Sequence, residues 1–216
     1  MTIIDYHTDI CAVCGSEQKN QYLFYNLEYY PPLEQIYYKL IGAKPTQCTN
    51  CGYISWPISK KPGKVTREWL RSEEYLNNDG MIFNDHYAEL YYKKYKIDLL
   101  NRRVEKALEA VFMTCLYCYI RDDLENASWC CFLALALFDK LKKPKMFDPE
   151  TLKLMKAGLL RRTGQFTRLL NEYSACTFEK KMYNEYLKLL LKKAEQKDAG
   201  NIPDSELKEV LRWFEF

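Results

Sequence analysis

Histidine is almost missing from this chain: His7 and His86 are the only two in 216 residues. Neither sits in a recognisable catalytic motif. A Gly-rich loop to cradle phosphates is missing as well, and so is a Gly-x-Ser-x-Gly elbow. We therefore expect no enzyme, with the reservation that a site assembled from residues distant in sequence leaves no such trace. Long apolar runs are also absent. The longest, Trp129 to Phe138, is about half of what a bilayer-spanning helix requires. The first residues, MTIIDYHTDI, lack the basic-then-apolar order of a signal peptide. No membrane contact is expected, and the cytoplasm is the expected compartment. Charge of one sign is scarce too. Lys and Arg number 32 against 29 Asp and Glu, a net +3 that permits contact with nucleic acid without arguing for it.

Apolar residues make up 48% of the chain, enough for a packed core without disulfides. Glutathione keeps cytoplasmic thiols reduced, so the nine cysteines read as metal ligands or buried thiols. Four of them form two matched motifs, CAVCG at 11–15 and CTNCG at 48–52. Each Cys-x-x-Cys is a tight turn that points two sulfurs at one place. Gly15 and Gly52 follow where the chain must turn back, and a residue without Cβ suits positive φ. Cys11, Cys14, Cys48 and Cys51 can complete a tetrahedron of thiolates. That arrangement suits one structural Zn2+ per chain, with no position left to activate water. An iron site or iron–sulfur cluster on the same thiolates is the competing reading. Two unrelated pairs of reduced cysteines is another.

Residues 1–58 are rich in tyrosine and turn residues. Runs at Gln21–Tyr30, Ile36–Ile41 and Tyr53–Ile58 read as strands. Lys60-Lys61-Pro62-Gly63 reads as a linker to a helical region spanning 64–216. There Thr66 is expected to cap a helix through Asn77, and a helix starts near Asn84 or Asp85. Asp98 is expected to cap the next, which reaches Ile120. Asp122-Asp123 makes a turn before Leu124–Leu141. Asp148-Pro149 opens a helix that Gly164 breaks. Further helices are expected over Phe166–Tyr173, Glu179–Lys197 and Ser205–Phe214. The fold class is α+β: a small ribbon of short antiparallel strands followed by helices.

The helical part carries a weak repeat. Ala157, Leu160, Gly164, Phe166, Leu169, Tyr173 and Cys176 fall at the offsets of Cys115, Cys118, Asp122, Leu124, Ala127, Cys131 and Ala134. Small and bulky residues thus recur on two helix pairs, each joined by a tight turn, in the manner of tetratricopeptide repeats. The segment Lys140 to Phe147 would be a longer loop between the units. The two knuckles resemble a zinc ribbon. Together with CTNCGYISW, WLRSEEYLNN and the helical stretch containing LLRRTGQF, the chain resembles an uncharacterised bacterial family. That family joins an N-terminal zinc ribbon to tetratricopeptide-like helices. The resemblance implies this architecture and adds no activity.

Other signals have bland readings beside sharp ones. Cys115 and Cys118 form another Cys-x-x-Cys, with Cys130 and Cys131 beyond. Mid-helix placement on a stripe with Val111 and Phe112 favours core packing over a second metal site or a redox pair. The 18 tyrosines could stack on bases. Residues 1–56 hold too few cations for phosphate neutralisation, so half-buried sheet positions are the better reading. The basic stretch 140–162 is either a solvated face or a contact surface. The function expected is a non-catalytic adaptor or scaffold that binds protein or peptide through a helical groove. Lys140, Lys142, Lys143 and Lys145 would steer an acidic partner at its rim. The alternative is a factor that meets DNA or RNA through basic helical faces.

Overall fold

The computed structural model describes residues 2–25, 45–141 and 148–211. The strand expected at Ile36–Ile41 lies outside them, as do Lys142, Lys143 and Lys145. The described residues form short antiparallel strands followed by helices, an α+β fold. They fall into two compact units, one holding residues up to 25 and 45–130, the other those from 131 onward.

The first unit begins with a hairpin. Strands β1 (Thr2–Ile10) and β2 (Glu17–Tyr25) pair antiparallel, with Thr2 opposite Tyr25 and Ile10 opposite Glu17. A second, two-residue hairpin joins β3 (Thr46–Gln47) to β4 (Ile54–Ser55). Each hairpin tip is one of the cysteine motifs. A 3-10 turn (Trp69–Arg71) and the one-turn α1 (Glu73–Leu76) follow. This departs from the single helix expected over Thr66–Asn77. Thr66 does cap, its hydroxyl accepting from Trp69 N–H at 3.2 Å. The chain then straightens at Ser72 (ψ 155°), whose hydroxyl donates to the Trp69 carbonyl at 2.7 Å.

Helices α2 (His86–Leu100) and α3 (Val104–Ile120) pack along each other. Asp85 caps α2, its carboxylate accepting from Tyr87 and Ala88 N–H at 2.8 and 3.2 Å. Asp98 is not the cap of α3. It is fully buried within α2, where Lys94 and Arg103 neutralise it. The turn falls at Arg102 (φ 57°) instead. The ribbon and the first helical segments share one core. Cys11, Cys48, Tyr53, Ile54 and Ile58 cluster with Val65, Leu70, Tyr75, Leu90 and Ile97. Each such large apolar side chain contributes about 1.5–3 kcal/mol on leaving water.

Helix α4 (Leu124–Phe138) begins in the first unit. The second unit contains α5 (Pro149–Arg162), α6 (Phe166–Tyr173), α7 (Lys181–Glu195) and α8 (Asp204–Leu211). Helix α5 starts as expected, with Asp148 accepting from Thr151 N–H at 2.9 Å and Pro149 at the first position. Helices α5, α6 and α7 pack mutually, and Leu160, Leu169, Tyr173, Tyr183, Leu187 and Leu190 on them are buried.

Four helix ends share one construction. Arg102, Asp122, Gly164 and Lys197 have positive φ, and the next residue's N–H bonds a carbonyl five residues back. Arg103 donates to Asp98, Asp123 to Cys118, Gln165 to Leu160 and Asp198 to Lys193, each at 2.8–2.9 Å. This is a Schellman stop. Asp122 and Gly164, the residues equated by the sequence register, occupy the same position in it.

Candidate metal centre

The site is built from two copies of one turn. Cys11 N–H donates to the Ser16 carbonyl at 2.9 Å, and Gly15 N–H returns to the Cys11 carbonyl at 2.8 Å. Cys48 N–H donates to the Tyr53 carbonyl at 2.8 Å, and Gly52 N–H to the Cys48 carbonyl at 2.9 Å. Gly15 and Gly52 have φ of 73° and 77°; a Cβ would meet open space at Gly15 and only an ordinary contact with Gln47 Nε2, at 3.8 Å, at Gly52. Backbone strain, not crowding, therefore selects glycine at both.

The same turns aim amides at sulfur. Val13 and Cys14 N–H point at the Cys11 thiol, and Asn50 and Cys51 N–H at the Cys48 thiol. Ser16 N–H faces Cys14 and Tyr53 N–H faces Cys51 in the same way. Donors so placed stabilise thiolate over thiol.

Cys11, Cys14, Cys48 and Cys51 bring their sulfurs within 4.8 Å of one another and could hold a metal ion. Cys11 Sγ lies 3.7 Å from Cys51 Sγ, and Cys14 Sγ 3.5 Å from Cys48 Sγ. A tetrahedron with metal–sulfur bonds of about 2.3 Å has edges of about 3.8 Å, so the spacing suits four thiolates around one ion. Burial pushes the Cys14 thiol up, but the Ser16 hydroxyl and amide, Cys48 and Asn50 outweigh it and bring it to about 6. Burial and its sulfur neighbours push Cys51 far up. Four thiols crowded together resist losing every proton, and a dication relieves that repulsion.

Several supporting residues carry no motif in the sequence. The Gln18 side chain bridges the hairpins, its Nε2 donating to the Gln47 carbonyl at 3.0 Å and its Oε1 accepting from Thr49 N–H at 2.9 Å. Ala12 N–H donates to the Ile58 carbonyl at 3.0 Å. Arg67 Nη2 donates to the Cys14 carbonyl at 2.5 Å. The Ser16 hydroxyl lies 2.9 Å from Cys14 Sγ and 3.3 Å from Cys48 Sγ. Gln18, Arg67 and Ala12 reach partners remote in sequence, and Ser16 reaches Cys48 as well as its neighbour Cys14.

Cys115, Cys118, Cys130 and Cys131 are buried. Among the described residues only the ribbon cysteines form a group able to hold a metal. Cys115 Sγ donates to the Ala127 carbonyl at 3.5 Å, the contact of a packed thiol. None of the nine cysteines, all of them among the described residues, is in a disulfide. Lys140 is exposed just beyond α4. The rest of the basic stretch is not a uniform cationic face. Arg161 is buried and donates to the Asp198 and Gly200 carbonyls at 3.0 and 2.6 Å, and Lys156 pairs with Glu172 at 3.1 Å. No helix among the described residues is long and apolar enough to cross a membrane. No protein-family model, curated protein or solved structure matches the chain.

Proposed function

We propose that this chain is a non-catalytic adaptor in which a zinc-stapled ribbon is joined to tetratricopeptide-like helix pairs that bind a protein or peptide. The observation that carries the reading is the recurrence of one Schellman stop at four helix ends, two of which, Asp122 and Gly164, stand at positions that the sequence register equates. Stacked helix pairs of one construction form curved surfaces suited to an extended or helical peptide. Zinc is the ion that the donor set favours, since four sulfurs at tetrahedral spacing leave no open position and require no redox change. The ribbon is then a fold element, and the cytoplasm is the compartment that reduced thiols favour. The architecture is the one implied by the resemblance to the bacterial ribbon-and-repeat family.

The second reading is a nucleic-acid-associated factor using basic helical faces. Exposed Lys140 and Lys153 favour it. Buried Arg161 and paired Lys156 count against it. Affinity capture with the intact protein from its native host, with and without nuclease, decides between them. We expect a defined protein partner that survives nuclease and is competed by excess untagged protein. Recovery that nuclease abolishes would overturn the adaptor reading.

A further inference from the structure

A cavity of about 230 Å3 lies in the first unit, between the second hairpin and helices α2 and α3. Lys60, Lys94, Arg103 and Lys106 line it, and among the described residues Glu109 is the only acid that does. Two of these cations are already compensated: Lys94 and Arg103 both turn to buried Asp98. Among the described residues, Lys60 and Lys106 have no carboxylate within ion-pair distance. They face each other instead. Burial and then the Lys106, Lys94 and Arg103 charges push the Lys60 amine below its usual range. Burial also holds the Glu109 carboxyl above its usual range despite Lys94 and Lys106, which weakens it as a counter-charge.

Like charges gathered at a cavity repel, and folding does not gather them without cost. The chain fixes this arrangement from its core. The Tyr53 hydroxyl donates to the Lys60 carbonyl at 3.1 Å, next to the second knuckle. Tyr91 lines the same cavity, stacked on Tyr117 at 5.7 Å between ring centroids. Its hydroxyl is inaccessible, so Tyr91 gives the cavity a wall and not a donor. Trp56 adds a half-exposed aromatic surface to the lining.

We propose that this cavity binds a phosphomonoester dianion, held by Lys60 and Lys106, with its organic group against Trp56. Two uncompensated ammonium groups match a dianion better than a single carboxylate. A monoester presents three acceptor oxygens to donors arriving from several directions. A backbone phosphodiester carries one charge, and matches a pair of ammonium groups less well. The site is independent of the adaptor reading.

The test is calorimetric titration of the intact zinc-loaded protein with inorganic phosphate and with phenyl phosphate, at constant ionic strength. We expect saturable binding, tighter for phenyl phosphate. The Lys60→Gln, Lys106→Gln double variant should weaken it by at least about tenfold while melting at the wild-type temperature. Glu109→Gln should tighten it several-fold, a gain that loss of structure could not give. An oligonucleotide without terminal phosphates should not displace phenyl phosphate. Absence of saturable binding, an equal effect from chloride, unchanged affinity in the double variant, or displacement by the oligonucleotide would each overturn the proposal.

Discussion

The Tyr75 hydroxyl donates to the Gly52 carbonyl at 2.7 Å, tying helix α1 to the turn that carries Cys48 and Cys51. Tyr75 is almost fully buried, and its ring lies 4.9 Å from that of Trp69. Tyr75→Phe keeps the ring and leaves the carbonyl without this donor. We expect a loss of about 1–2 kcal/mol in urea unfolding and faster transfer of metal to a chelator. Wild-type transfer kinetics would show that the knuckle holds itself without α1.

The purified protein should carry about one zinc per chain. Cys48→Ser should lose it and unfold the ribbon, because coordination and folding are coupled in so small a module. Elemental analysis is the check. Iron as the main metal, or none, would refute the zinc assignment.

Cys118→Ala should leave metal content unchanged and cost roughly 1 kcal/mol through a small cavity, since Cys118 is fully buried in α3. A drop in bound zinc in this variant would contradict the packing role.

Asp148 gives a pH dependence with a definite sign. Burial would raise its pKa, but the Thr151 hydroxyl and amide and the Lys180 charge outweigh that and hold it below the usual range. An acid depressed in the fold contributes stability that is complete above its unfolded value, about 3.9, and lost as pH falls through the lower folded value. Asp148→Ala should therefore cost about 1 kcal/mol at neutral pH and less below about pH 3. Urea midpoints at the two pH values measure the difference, and an equal gap at both would remove the charge from the account.

Reversing Lys140 and Lys142 to Glu should slow association with an acidic partner and weaken its salt dependence, with stability little changed. Should the partner be nucleic acid, binding would weaken across all sequences and the salt slope would flatten. Unchanged rates would make these lysines ordinary solvated surface.

The cysteine turns were legible in the sequence because their chemistry is local: ligand spacing and the trailing glycine lie within five residues. The caps at Asp85 and Asp148 were legible for the same reason. Strand β1 was not, because its pattern runs backwards. Ile10 is 60% exposed while Asp9 is only 9% exposed and accepts from Asn20 at 2.7 Å. An alternation that buries the acid and exposes the isoleucine carries no hydrophobic period. Asp98 misled for a related reason. It has the identity of a cap, yet Lys94 one turn before it and Arg103 just beyond it let the carboxylate stay inside the helix. The stop at Arg102 has no signal, since arginine rarely takes positive φ.

The core shared by the ribbon and the first helices would make an ion held by the four cysteines a global tenant. Ile58 is packed with Leu70 and Leu90, so cleavage in the Lys60–Gly63 segment would leave apolar surface on both fragments. Backbone amides of α2 should then exchange with deuterium in step with those of the knuckles, as one cooperative unit whose opening frequency rises when the ion is withdrawn.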